Sequence, residues 1–142
     1  MTTRRRAREA ALGVLFQMDL GKLSLEDALE TVRGPDWAPD DWALVETLAR
    51  GTRAHLAEID AVIAGAAEHW TLERMATVDR NILRMAIYEL VSTPTPVGVV
   101  INEAVELAKQ YSTEESGRFV NGMLGRLVRS GIPPLVGQAA DA

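Results

Sequence analysis

The chain has 142 residues, enough for one domain of ordinary size with a real core. It contains no cysteine, which excludes disulfides, thiolate zinc sites and cysteine nucleophiles and fits a cytoplasmic protein. The net charge is −5, an argument against blanket attraction to nucleic acid, and no apolar stretch approaches the ~18 to 20 residues of a membrane span.

The first helix is predicted from about Thr3 to Leu20, with Gly21 as its stop signal. Ala7, Ala11, Val14 and Met18 form its main apolar stripe, with Leu15 alongside. Leu12, Phe16 and Leu20 form a second stripe roughly opposite. A helix apolar on two sides is either central to a bundle or shared with a partner. Arg4, Arg5, Arg6 and Arg8 crowd its first turns, where cations oppose the helix dipole. Local stability does not explain them. An anion docked at the helix start would, because free N–H groups and guanidinium forks both point toward it. The plain alternative is a frayed, solvated terminus.

Ser24 to Asp27 resembles a capping box and starts a short helix, Leu25 to Arg33, ended by Gly34-Pro35. Asp40 or Asp41 is expected to cap the longest helix, which runs to about Ala67 with a bend or close crossing at Gly51. A short turn follows at Thr71-Leu72. Thr77 or Asp79 caps the next helix, in which Ile82, Leu83, Ala86, Ile87 and Leu90 face inward. Pro94 and Pro96 break it.

Residues 99–129 read as two helices joined by a tight link at Ser112-Thr113. Ile101, Ala104, Val105 and Ala108 share one face of the first, with Leu107 and Tyr111 beside it. Val120, Met123, Leu124, Leu127 and Val128 make the core face of the second. Arg118, Gly122, Gly125 and Arg129 fall opposite, a face that something approaches closely, either a neighbouring helix or a ligand. Pro133 and Pro134 stop the helix, and residues 132–142 are expected to be a mobile tail. The fold expected is all-α: six or seven helices in a compact bundle of two packed helical subdomains. These occupy about 1–70 and 71–131 of one domain.

No catalytic or metal constellation emerges. His55 and His69 have no ligand pattern around them and read as surface histidines. The Asp40-Asp41 and Glu114-Glu115 pairs sit at helix starts, where capping explains them. Gly117 to Gly125 is not a phosphate loop, since no strand precedes it. The chain is expected to be no enzyme and to need no cofactor or metal. Charge is unevenly spread, with +3 in residues 1–10, +3 in residues 116–131 and −11 in the remainder. Nucleic acid is the best anion for the basic segments. Single-stranded RNA asks only for arginines at phosphates and an aromatic at exposed bases. Arg4, Arg5, Arg6, Arg8, Arg118 and Phe119 would serve if the first and last helices lie side by side.

RRRAREAALGVLFQMDL, VDRNILRMAIYEL and VINEAVELAKQYSTEESGRFVNGMLGRL, in that order, resemble the NusB family of bacterial transcription antitermination factors. The resemblance spans Arg4 to Arg129 and implies two three-helix-like subdomains. It implies binding of boxA leader RNA together with NusE, a small-subunit ribosomal protein. It also implies entry into an antitermination complex on RNA polymerase, chiefly during ribosomal RNA synthesis. On this resemblance Arg4, Arg5, Arg6, Arg8, Glu115, Arg118, Phe119 and Asn121 face RNA. Phe16 and Asp79 match the NusE-facing positions, and Leu12 shares the stripe of Phe16. Phe16 stands where some members carry tyrosine. Two other readings stand beside this one. One is a protein-only helical adaptor, or a homodimer, through Leu12, Phe16 and Leu20. The other is a detached RNA-binding domain like that which begins some ribosomal RNA cytosine methyltransferases. A whole methyltransferase is excluded because the cysteine nucleophile is missing.

Overall fold

The computed structural model describes residues 3–67 and 71–136. Among them are seven α-helices and no strand. The helices are α1 (Thr3–Asp19), α2 (Leu25–Val32), α3 (Pro39–Ala54), α4 (Leu56–Ala66), α5 (Thr77–Ser92), α6 (Val97–Tyr111) and α7 (Glu114–Ser130). One 3-10 turn, Leu72–Arg74, leads into α5. None of the described helices is long and apolar enough to cross a membrane.

Local signals set most of the ends. Gly21 and Gly131 adopt positive φ of 75° and 88° just past α1 and α7, a backbone state that L side chains avoid. Ser24 Oγ accepts the Asp27 N–H at 3.2 Å, and Thr113 Oγ1 accepts the Ser116 N–H at 2.9 Å. The expected caps at Asp40 and Thr77 are not used. Ala38 and Ala76 hold those positions, and the acids fall in the first turns, where they still meet the helix dipole.

The long helix expected from Asp40 to Ala67 is two helices, α3 and α4, divided at His55 rather than bent at Gly51. Gly51 marks a close crossing instead, since a Cβ there would overlap the Tyr88 ring. His55, expected on the surface, is buried, stacked against Tyr88 and 3.1 Å from Glu58 through Nδ1. His69 lies outside the described residues.

α5 is the hub. It packs against α1, α3, α4, α6 and α7. Ile82, Leu83, Met85, Ala86 and Ile87 are all buried on it, and so are Asn81, Arg84 and Glu89. A helix surrounded on every side has no solvent face left for its polar residues. They must therefore be paired inside, which buried polar groups require. Arg8 of α1 meets Glu89 with bonds of 3.0 and 2.5 Å. Asp19, at the other end of α1, accepts from Arg80, Asn81 and Arg84, and Arg84 reaches on to Asp60 of α4 at 2.8 and 3.0 Å. These pairings run α1 antiparallel to α5, clamped at both ends.

Two smaller expectations are corrected. Val128 is exposed, because the core face of α7 ends at Leu127. The segment after Gly131 is partly docked: Ile132 and Leu135 pack against the core, and the Val136 N–H donates to Glu58 at 2.9 Å. Residues 137–142 of the expected mobile tail lie outside the described residues.

Candidate RNA and partner interface

The four arginines of the first turns have four different surroundings. Arg4 is exposed and lines an open groove of about 800 Å³ with Leu44, Thr47 and the 93–96 link. Arg5 donates to both oxygens of Glu103 on α6, at 3.1 and 2.6 Å. That forked bond raises the Arg5 pKa and lowers that of Glu103, so both stay charged. Arg6 is exposed, with its guanidinium 3.9 Å from the centre of the Trp37 ring. Arg8 is only 6% exposed and its partner Glu89 only 1%. Arg8, expected to meet RNA, holds its guanidinium in an internal ion pair, while the residue also lines the groove beside Arg4.

One turn further along, the Tyr111 hydroxyl donates to Glu9 at 2.6 Å. Arg5–Glu103 and Glu9–Tyr111 bridge α1 and α6 through long side chains, in the order of two helices running the same way. The Glu9 bond, with some burial, pushes the Tyr111 phenol up to about 12. Glu9→Gln should return it toward about 10, the ordinary tyrosine value, in a spectrophotometric titration. An unchanged midpoint would assign the shift to burial alone.

Past that bond lies an apolar groove of about 300 Å³, lined by Glu9, Leu12, Gly13, Phe16, Val78 and Tyr111. The second stripe of the first helix thus grades outward: Leu12 is buried at its floor, Phe16 is half-buried and Leu20 is exposed. Tyr111 and Val78 complete the groove. Sequence reasoning put Tyr111 only at the edge of the α6 stripe and left Val78 unassigned.

The next residue, Asp79, lines a different cavity of about 350 Å³. Arg74, Met75, Glu115, Ser116 and Phe119 line it too, where the first turns of α5 and α7 meet. Ser116 Oγ donates to Asp79 Oδ2 at 2.8 Å, tying the two helices together. Arg118, Asn121 and Gly122 are exposed beyond it. Among the described residues, no helix packs on the arginine–glycine face of α7 at Gly122. A Cβ at Gly122 would meet nothing within 4 Å, and at Gly125 only the Arg129 guanidinium at 3.2 Å.

Arg5 and Phe119 have different surroundings. Arg5 sits beside Glu103 in mid-α6, and eight residues of α6, roughly 12 Å of rise, separate that level from Tyr111. Phe119 lies past the α6–α7 turn, beside Met75 and Asp79. Glu9 and Tyr111 border the apolar groove, and Val78 of that groove is the chain neighbour of Asp79, which lines the Phe119 cavity. Arg126 stands apart, donating to the Ala66 carbonyl at 2.9 Å.

Comparison with known proteins agrees with this architecture. A model of the NusB family matches residues 5–129. The transcription antitermination protein NusB of Anaeromyxobacter dehalogenans (strain 2CP-1) is 47% identical over 138 residues, covering 94% of this chain and 96% of that protein. The NusB protein of Pelotomaculum thermopropionicum is 49% identical over 133 residues, covering 90% of each. Among solved structures, NusB of T. maritima superposes with a TM-score of 0.86 at 40% identity, covering 93% of this chain and 94% of that one. A chain from a crystal structure of the antitermination factors NusB and NusE with double-stranded RNA gives a TM-score of 0.82 at 30% identity, covering 92% and 99%. Sequence blocks, helix order and superposition all lead to one assignment: the chain is a member of the NusB family.

Proposed function

We propose that this chain is an RNA-binding transcription antitermination factor and not an enzyme. It binds boxA-type leader RNA together with the ribosomal protein NusE and joins the antitermination complex on RNA polymerase in the bacterial cytoplasm, chiefly on ribosomal RNA operons. The observations that carry this reading are the exposed Arg4 and Arg6 on α1, the apolar groove at Leu12 and Phe16, and the cavity walled by Phe119. Arginines neutralise phosphates and an aromatic wall receives an unstacked base, which is what single-stranded RNA requires. The groove at Leu12, Phe16 and Tyr111 offers apolar area to a protein. Family membership and the NusB–NusE–RNA neighbour support both assignments.

Arg4, Arg5, Arg6, Arg118, Phe119, Glu115 and Asn121 are assigned to RNA, with Arg8 supporting them from its ion pair, and Leu12, Phe16 and Asp79 to the protein partner. Titration of a boxA-type RNA across a salt series tests the first set. Affinity should fall by roughly 0.7 log units per phosphate contact for each decade of salt. The Arg4/Arg5/Arg6→Ala variant should bind more weakly and with a shallower slope. Equal, salt-insensitive binding by both proteins would reject the RNA site. In the same experiment Phe16→Asp should abolish NusE binding while leaving the fold and basal RNA binding intact.

A further inference from the structure

Arg6 is held by its face and not by its edge. Its guanidinium lies 3.9 Å from the centre of the Trp37 ring, and the residue is exposed. Among the described residues, none takes a hydrogen bond or an ion pair from it. Two of its neighbours in the arginine run are spent differently. Arg5 forks onto Glu103 and Arg8 onto Glu89, so both use their N–H edges inside the protein. Stacking on a ring consumes only the guanidinium face and leaves the fork of donors in its plane available.

Trp37 is itself a fixed support. It stands half-buried in the link between α2 and α3, and its indole N–H donates to the Val32 carbonyl at the end of α2 at 3.1 Å. Its ring meets that of Trp42 on α3 at 5.7 Å between centres, tilted by 57°. Trp42 is buried in the core, and the Arg33 guanidinium covers it at 4.9 Å. Contacts therefore run without a break from the interior, through two indoles, to an exposed cation.

Resting on the RNA-binding reading above, we propose that Trp37 is a positioning residue for RNA: it holds Arg6 flat so that the guanidinium edge meets a backbone phosphate. A free arginine gives up rotamer freedom when it docks, and affinity falls by that cost. A guanidinium already resting on a ring has given up part of that freedom on folding, and its fork matches a phosphate in two parallel bonds. Arg4 has the same charge and exposure but, among the described residues, no ring beneath it. Arg6 is thus the arginine of the run that is both oriented and unspent. Trp37 acts through it and needs no contact with RNA of its own.

The test is a double-mutant cycle on the full chain with a boxA-type single-stranded RNA. Trp37→Leu should weaken binding about threefold, the scale of an exposed cation–π contact. Trp37→Phe keeps a ring and should recover most of that loss. In an Arg6→Ala background Trp37→Leu should cost nothing further, whereas in an Arg4→Ala background it should cost the same threefold. An undiminished loss in the Arg6→Ala background would overturn the proposal, because Trp37 would then serve RNA or the fold without Arg6. Unchanged binding by Trp37→Leu would overturn it too. Should that variant fail to fold, wild type decides by NMR. Overhauser contacts between the Arg6 side chain and the Trp37 ring should persist in the RNA complex while the Arg6 Nε–H signal shifts. Loss of those contacts on adding RNA would sink the platform and leave RNA binding standing. Absence of RNA binding by wild type would instead reject the function on which the proposal rests.

Discussion

Arg8→Met should destabilise the protein by about 3 to 5 kcal/mol in urea or thermal unfolding, because it leaves the Glu89 carboxylate buried and alone. Arg5 does not take over the pairing, as its guanidinium is already forked onto both oxygens of Glu103. The double variant Arg8→Met/Glu89→Leu removes both charges and should recover to within about 1 kcal/mol of wild type. Replacing a whole buried pair by apolar groups of similar volume is often neutral. That double variant also separates structure from recognition. It should bind boxA-type RNA as wild type does. Loss of RNA affinity in a stable double variant would mean that Arg8 reaches RNA after all.

Asp19→Ala should cost about 3 kcal/mol, since it strips the carboxylate from Arg80 and from one arm of Arg84. The effect should also depend on pH. Burial alone would raise the Asp19 pKa, but hydrogen bonds from Arg80 and Asn81 and the charges of Arg84 and Arg80 hold it below the ordinary carboxylate value. A pKa lowered by folding contributes stability above the unfolded value of about 3.9 and loses it as pH falls through the folded value. The gap between wild type and Asp19→Ala should therefore be full at pH 6 and shrink steadily below about pH 4. A gap constant down to pH 2 would show that packing, not charge, is what Asp19 supplies.

Helix ends were legible because their causes are local. Gly21, Ser24, Pro94, Thr113 and Gly131 act within a turn of where they stand in the chain. The division at His55 was not legible. It follows from how α3 and α4 must separate to reach different faces of α5, and no proline or glycine marks the spot. Buried charge was the larger blind spot. Arg8 reads like Arg4 and Arg6 along the chain, and only Glu89, 81 positions away, makes it an interior residue. The polar residues of α5 were hidden for the same reason, because their partners Asp19 and Asp60 lie on other helices.

The site was half legible. The two-sided apolar pattern of α1 announced a groove, and the structure supplies one at Leu12 and Phe16. That Arg5 meets Glu103 while Phe119 walls a cavity with Asp79 depends on helix directions, which spacing cannot supply. Ser116, with no chemical prominence in the sequence, is what ties α7 to α5 and orients Asp79.

Val78 and Asp79 are neighbours in the opening turn of α5, yet each borders a different hollow. The opening turn of α5 is thus a wall common to both hollows, and a change that shifts this turn would be felt in the two at once.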